Sequence, residues 1–230
     1  MTKEITGAEI VLQSLIDQGV EVVFGYPGGA VLPIYDSLFK QNSIKHILVR
    51  QEGGAIHAAE GYARSSGKIG VVLVTSGPGA TNVVTGLTDA MMDSVPIVCI
   101  TGQVPQHLIG SDAFQECDTT GITRPCTKHN YLVKDVNQLS RVFHEAFVIS
   151  NNGRPGPVLI DIPKDVQFAK GQYFQSEQIS IPKHRLFEHR VKGNDEKIEE
   201  ATKLIANAKK PIFYIGGGCI NSGLGASDSV

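Results

Sequence analysis

The sequence predicts an α/β fold, a parallel sheet with helices on both faces. Three observations carry that prediction. Short β-branched strand patterns alternate with helical patterns of about 10–15 residues, the signature of repeated strand-helix-strand units. Two of the strand patterns, Gly70–Thr75 and Val95–Ile100, are almost continuously apolar, as strands buried on both faces are. Each strand pattern also runs into a glycine-bearing turn, and right-handed crossovers place all such turns at one edge of the sheet.

Taken in order, Ile10, Val11, Leu12, Leu15 and Ile16 recur at helical spacing after Thr6, and Gly19 closes the pattern. Thr6 and Glu9 make a capping box at its start. Val20–Phe24 is a short strand that enters Gly25-Tyr26-Pro27-Gly28-Gly29, followed by an amphipathic helix through Ile34, Leu38 and Phe39. The unit repeats as Lys45–Val49, then Glu52-Gly53-Gly54, then an alanine-rich helix to about Ser66. It repeats again as Gly70–Thr75, Ser76-Gly77-Pro78-Gly79 and a helix through Val83, Val84, Leu87, Met91 and Met92. Val95–Ile100 ends at Thr101-Gly102-Gln103, and the polar stretch Pro105–Pro125 reads as a loop with a short helix. His129–Val133 reads as a strand, Leu139–Ile149 as a helix and Pro157–Ile162 as a last strand before Pro163-Lys164-Asp165.

These elements make a first domain over residues 1–168. Residues 169–193 are dominated by Gln, Ser, Lys, Pro and Arg and read as a linker, with Ile179-Ser180-Ile181-Pro182 the one strand-like fragment. Residues 194–230 open a second, Rossmann-like α/β domain, with a helix over Asp195–Ala208, a strand over Pro211–Ile215 and a turn at Gly216-Gly217-Gly218. So few residues cannot bury a sheet, so this second domain is expected to be truncated.

The composition excludes several function classes. Over 230 residues the net charge is −2 and the 19% of charged residues are of mixed sign, so neither a nucleic-acid face nor a membrane-surface patch is expected. The four cysteines lack CxxC spacing, which argues against a zinc site and for reduced thiols in a cytoplasmic protein. The first residues lack the basic start and apolar core of a signal peptide, and no apolar run approaches the ~20 residues of a membrane span. No GxxxxGK[ST] and no full GxGxxG with a downstream acid occurs, which disfavours a nucleoside triphosphate.

What remains is an edge rich in glycine with a carboxylate on it. Gly25–Gly29, Gly53-Gly54, Gly77–Gly79 and Gly102 share the carboxyl ends of the strands, where main chain can approach a flat cofactor closely. The same glycines also serve ordinary α/β turns. Glu52 stands where strand becomes helix, a position that suits a catalytic acid and equally an acid at a helix N-terminus, favoured by the dipole by ~0.3–1 kcal/mol. His57, His107 and His129 read as packing or surface histidines, and Met91-Met92 as helix core.

Four strings carry a family resemblance: Val23-Phe-Gly-Tyr-Pro-Gly-Gly-Ala30, Val74-Thr-Ser-Gly-Pro-Gly-Ala-Thr-Asn82, Asp112-Ala-Phe-Gln-Glu116 and Gly153-Arg-Pro-Gly-Pro-Val-Leu-Ile-Asp-Ile-Pro-Lys-Asp165. In order and spacing they resemble the catalytic (large) subunits of acetolactate synthases, thiamine-diphosphate-dependent enzymes, from about Ile5 to Asn221. The resemblance implies that the first domain binds the cofactor's pyrimidine and that Glu52 is the catalytic glutamate, sharing a proton with N1′ so that C2 can be deprotonated. It implies active-site roles for Gln115 and Lys164, cofactor contacts for Tyr26, Pro27, Gly28 and Gly29, and an FAD contact for Arg154, with Gly216–Gly218 beginning the FAD-associated domain.

The implied reaction condenses pyruvate, after decarboxylation, with pyruvate or 2-oxobutanoate toward isoleucine and valine. The implied assembly is a homodimer that shares the cofactor between subunits, with a regulatory small subunit as a further partner. Gln51 and Gly53 depart from the family, which commonly has histidine and glutamine there. The Gly-Asp-Gly and downstream Asn that hold Mg2+ and the diphosphate are absent from these residues, so no metal ligand is expected in the chain and the chain alone is expected to be inactive. Another thiamine-diphosphate oxidase or decarboxylase, or a non-catalytic domain that binds a partner subunit, remain alternative readings of the same residues.

Overall fold

Local sequence and long-range pairing together build the first unit of the chain, whose elements begin with β1 (Lys3–Thr6), α1 (Gly7–Asp17), β2 (Val22–Tyr26), α2 (Leu32–Phe39), β3 (Lys45–Leu48) and α3 (Glu52–Ser66). They continue with β4 (Gly70–Val74), α4 (Pro78–Thr81), α5 (Val84–Asp93), β5 (Ile97–Gln103), α6 (Thr119–Thr123) and β6 (His129–Leu132). The unit closes with α7 (Leu139–Asn151), β7 (Pro157–Pro163), α8 (Lys164–Phe168) and β8 (Lys170–Tyr173). The structure is a computed structural model that describes residues 3–182 and 193–228, and it divides into units 1–187 and 188–230.

Six strands form one sheet in the order β3-β2-β4-β5-β7-β6. Every pairing within it is parallel, from Val22 against Lys45 at one side to Leu132 against Asp161 at the other. The α/β fold with a parallel sheet read from the sequence is therefore the observed one. Alternate residues of the central strands feed two separate cores. Val71, Leu73, Val98, Ile100, Val158 and Ile160 pack with α1 and α7 through Ile10, Leu15, Phe143 and Phe147. Val72, Val74, Ile97, Cys99 and Leu159 pack with α3 and α5 through Ile56, Ala59, Leu87 and Ala90. Burial on both faces explains why these strands show no polar alternation.

Several boundaries move for physical reasons. The Thr6–Glu9 capping box is present. At the other end of α1, Val20 donates its N–H to the Leu15 carbonyl (3.0 Å) behind Gly19, which has φ 70°. That is a Schellman closure, so Val20 belongs to the helix cap and the strand starts at Val22 rather than Val20. The helix expected through Val83 to Met92 is α5, with Val83 as its N-cap, and a separate short helix, α4, precedes it and ends at Thr81. Thr101, Gly102 and Gln103, expected as a turn, extend β5, because β7 pairs with them as far as Gln103 against Pro163.

Two larger expectations are corrected. Part of the stretch read as a linker is strand: β8 pairs antiparallel with β1, Ile5 against Gly171, and Tyr173 Oη donates to the Asp17 carboxylate. No local pattern announces this, because the partner strand lies at the opposite end of the unit's sequence. Residues 183–192 of that stretch lie outside the described residues.

In the second unit the helix expected at Asp195 is α9 (Asp195–Asn207), followed by the short helices α10 (Gly217–Asn221) and α11 (Leu224–Asp228). The strand expected over Pro211–Ile215 is not formed; Ile212 and Tyr214 are 92% and 101% exposed, and no described strand offers the ladder that would hold it. Among the described residues no helix is long and apolar enough to cross a membrane.

Phe143 of α7 is fully buried in the larger core. Phe143→Ala is expected to lower unfolding stability by about 3–5 kcal/mol in urea titrations. Phe39→Ala, at a position 90% exposed, should change it by no more than about 0.5 kcal/mol. Equal losses for the two would contradict this placement of the core.

Candidate active site

Parallel pairing brings the ends of β2, β3, β4 and β5 to one edge, and the contacts there radiate from β4. Its exit residue Thr75 is buried, and a Cβ on Gly28 would lie 2.5 Å from the Thr75 side chain, so the turn after β2 can close onto β4 only as glycine. Thr75 Oγ1 also accepts from the Ala30 N–H (3.3 Å). The Ala30 carbonyl in turn accepts from Gln167 Nε2 (2.7 Å), which donates to the Ile162 carbonyl as well (2.9 Å). The turn from Gly28 to Ala30 is thereby held from both sides. Gly77 (φ 55°) is in the left-handed region, and a Cβ there would meet the Gln115 carbonyl oxygen at 2.4 Å.

Glu52 is the first residue of α3, and its side chain is drawn into this edge with 9% exposure. Asn82, at the break between α4 and α5, donates Nδ2–H to Glu52 Oε2 (2.9 Å). The other oxygen, Oε1, has no hydrogen-bond partner among the described residues and lies 3.4 Å from where a Cβ on Gly79 would stand. One carboxylate oxygen is thus anchored by Asn82, and the other has no such anchor among the described residues. The preceding residue, Gln51, caps α3 by accepting the Gly54 N–H at Oε1 (3.2 Å). A Cβ on Gly53 would meet that same Oε1 at 2.7 Å, so Gln51 and Gly53 fit each other as a pair.

The remaining residues singled out from the sequence fall in four places. Tyr26 ends β2 and Pro27 follows it beside Gly28 and Gly29, with Tyr26 40% exposed. Gln115 presses its backbone on Gly77, has φ 57° and leaves its side chain exposed, next to Phe114 at 88% exposure. Lys164 opens α8 at the end of β7 and so shares the edge with Glu52, although β2, β4 and β5 separate their strands. Arg154 is elsewhere. It precedes β7, at the opposite edge, and caps the end of α5 through Ser94 Oγ (2.8 Å) and the Met91 and Met92 carbonyls (3.1 and 2.6 Å). The edge therefore gathers Glu52, Gly28, Gly29 and the Gln115 backbone around β4, and does not include Arg154.

Three residues of this edge carry no assigned role in the sequence reading. Asn82 and Thr75 lie within the quoted Val74–Asn82 block, but only the folded chain shows Asn82 reaching Glu52 and Thr75 filling the space at Gly28. The third is Asp161 of β7, 1% exposed, which accepts from Thr101 Oγ1 (2.7 Å) and from Gln103 Nε2 (2.9 Å). Gln103 Nε2 also donates to the Cys117 carbonyl (2.8 Å), tying the loop that carries Gln115 to the sheet. Burial pushes the Asp161 carboxyl up to about 7, against the two hydrogen bonds.

Comparison with known proteins bears on this edge directly. Residues 5–122 match the family described as thiamine pyrophosphate enzyme, N-terminal TPP binding domain. The chain is 52% identical over 218 residues to an acetolactate synthase of Mycobacterium bovis, covering 95% of this chain and 35% of that protein. It is 53% identical over 222 residues to the acetolactate synthase large subunit of Haemophilus influenzae, covering 96% of this chain and 38% of the relative. It is 51% identical over 221 residues to the acetolactate synthase isozyme 3 large subunit of Escherichia coli, covering 95% and 38%. The chain thus spans 35–38% of the length of these relatives.

The Asp161 cluster gives a pH signature. Between the ordinary carboxyl value of 3.8 and about 7, the folded chain keeps a proton that the unfolded chain has lost. Rising pH through that window therefore removes stability, and above it the effect is constant. Asp161→Asn keeps the shape and cannot titrate. The stability of the unaltered chain relative to this variant is expected to fall across the window in denaturant titrations, and a difference independent of pH would refute the assignment.

Proposed function

The chain belongs to the thiamine pyrophosphate enzyme family, through its N-terminal TPP-binding domain, and on that premise we propose that it is the pyrimidine-binding part of an acetolactate synthase catalytic subunit. The proposed reaction joins pyruvate, after decarboxylation, to pyruvate or 2-oxobutanoate, in the synthesis of branched-chain amino acids. The single observation that carries this reading is the Glu52 carboxyl group: buried, anchored through Oε2 by Asn82, and unpartnered at Oε1 among the described residues.

The residues present fit thiamine diphosphate. Its aminopyrimidine is flat and offers a ring nitrogen that a carboxyl group can protonate, and the edge supplies such a group beside main chain kept bare at Gly28 and Gly79. When bound, the cofactor supplies an acidic carbon and an electron sink for decarboxylation. Glu52 holds or releases a proton at Oε1, the role of a positioned general acid and base. Asn82 has one task, to keep the plane of that carboxyl group fixed by donating to Oε2, which leaves Oε1 alone to exchange the proton. Thr75 and Gln167 hold the turn from Gly28 to Ala30 in place, and that turn would carry the main chain against which the ring would lie. Tyr26 and Pro27 would contact the cofactor beside that turn, and Gln115 and Lys164 would take active-site roles.

The finer assignments belong to the same proposal. Mg2+ and the diphosphate are assigned to a part of the enzyme other than this chain, whose 230 residues contain no Gly-Asp-Gly. An FAD contact at Arg154 and, separately, the reading of Gly216–Gly218 as the start of an FAD-associated domain rest on the family resemblance alone. The site is completed by a second copy of the subunit, and a small regulatory subunit is the further partner, by extension from the relatives named large subunit. The setting is cytoplasmic, in keeping with four reduced thiols.

In the enzyme that contains this domain, Glu52→Gln is expected to slow exchange of the cofactor's C2 hydrogen by about 10²- to 10⁴-fold, measured by quenched-flow deuterium exchange. Asn82→Ala should slow it by a smaller factor. An exchange rate untouched by Glu52→Gln would remove the basis of the reading.

A further inference from the structure

Further along α3 from Glu52, a second cluster of metal-ligating side chains is assembled between α3 and α5. The two helices approach closely because position 86 is glycine: a Cβ there would lie 2.2 Å from Ile56 Cγ2. His57 and Glu60, three residues apart on α3, project from one face. Asp89 of α5 faces them. His57 Nδ1 lies 2.6 Å from Glu60 Oε2 and 4.0 Å from Asp89 Oδ2, and one ligand atom from each of the three lies within 4.8 Å of the other two.

The Glu60 side chain is 6% exposed, and its Oε1 is buried with no hydrogen-bond partner among the described residues. A carboxylate that is buried, turned to a single imidazole and short of one partner lacks the compensation that such burial ordinarily requires. The nearby cation Arg64 is engaged by Asp93 (Nη2 to Oδ2, 2.5 Å). His57 and Asp89 are half-exposed, at 50% and 53%, so the cluster opens to water.

We propose that His57, Glu60 and Asp89 form a binding site for a divalent transition-metal ion of the zinc or cobalt kind, the remaining coordination positions being filled by water. One imidazole nitrogen and two carboxylates form a donor set that suits such ions. Zn–N and Zn–O bonds of about 2.0–2.1 Å place neighbouring tetrahedral ligands roughly 3.3 Å apart. The observed 2.6 and 4.0 Å bracket that spacing, so side-chain adjustments of under about an ångström would complete the site. Binding takes Nδ1 of the neutral imidazole as a ligand, with the ring's one hydrogen on Nε2, so the ion takes the place of the Nδ1 hydrogen bond to Glu60 with no net proton transfer. The ion cross-links α3, which begins with Glu52, to α5, which follows Asn82.

The test uses the purified 230-residue chain free of any affinity tag, with Zn2+ and Co2+ as probes. Calorimetry with Zn2+ is expected to show one site per chain, and the thermal midpoint should rise with Zn2+ concentration. His57→Gln and Asp89→Asn, both half-exposed and close in size to the originals, should keep the metal-free midpoint and weaken Zn2+ binding by at least about 10-fold. His107→Gln should bind as the unaltered chain does. No saturable binding, equal affinity in the His57 and Asp89 variants, or an intense thiolate charge-transfer band with Co2+, which would put the ion on cysteine, would each overturn the proposal.

Discussion

Because every strand of the six-stranded sheet runs parallel to its neighbours, each turn that follows a strand occurs at the same edge, and the chain must cross back over a face of the sheet before the next strand begins. That constraint collects the ends of β2, β3, β4 and β5 in one place, although their sequences are spread from Tyr26 to Gln103. It also sends Arg154, which precedes a strand rather than following one, to the far edge. The position of each polar residue relative to its strand thus decides whether it can take part in the Glu52 site.

Within that edge, steric exclusion does as much as attraction. Thr75 occupies the volume that side chains at residues 28 and 79 would need, so the turns pack backbone against β4 and leave a surface of main chain. The Glu52 carboxyl group is then the principal polar feature on that surface, and its two oxygens are made unequal by a single donor, Asn82. An acid with one committed oxygen and one open oxygen has a defined direction of proton exchange. Gln51 contributes differently, by satisfying an N–H at the start of α3 and filling the space that glycine leaves at position 53.

The helix α3 joins two pieces of chemistry. Its first residue is Glu52, and further along its length His57 and Glu60 meet Asp89 of α5. Both depend on the contact between α3 and the chain after β4, which is fixed by apolar packing of Ile56, Ala59, Leu87 and Ala90 against β4 and β5. The polar groups are positioned by the apolar core beneath them, and their own hydrogen bonds refine that placement.

Much of this was legible in the sequence, because the signals are local. Capping at Thr6 and Glu9, the start of a helix at Glu52, the apolar strands and the glycine turns each arise from interactions within a few residues, and the family resemblance of the quoted blocks pointed to Glu52. Other features depend on groups distant in sequence. The strand Lys170–Tyr173 forms because Lys3–Thr6 is there to pair with it, whereas Pro211–Ile215, with equal strand character, has no described partner and forms none. The Asn82 bond to Glu52, the fit of Gly28 to Thr75 and the burial of Asp161 follow the same rule. The sequence by itself determined the order of most elements of the first unit and placed Glu52 at the start of a helix, since propensity and periodicity act over short stretches of chain. Tertiary structure alone decided which groups touch the Glu52 carboxylate and which edge each residue occupies, since hydrogen bonds and close packing act only between groups that the sheet has already brought together.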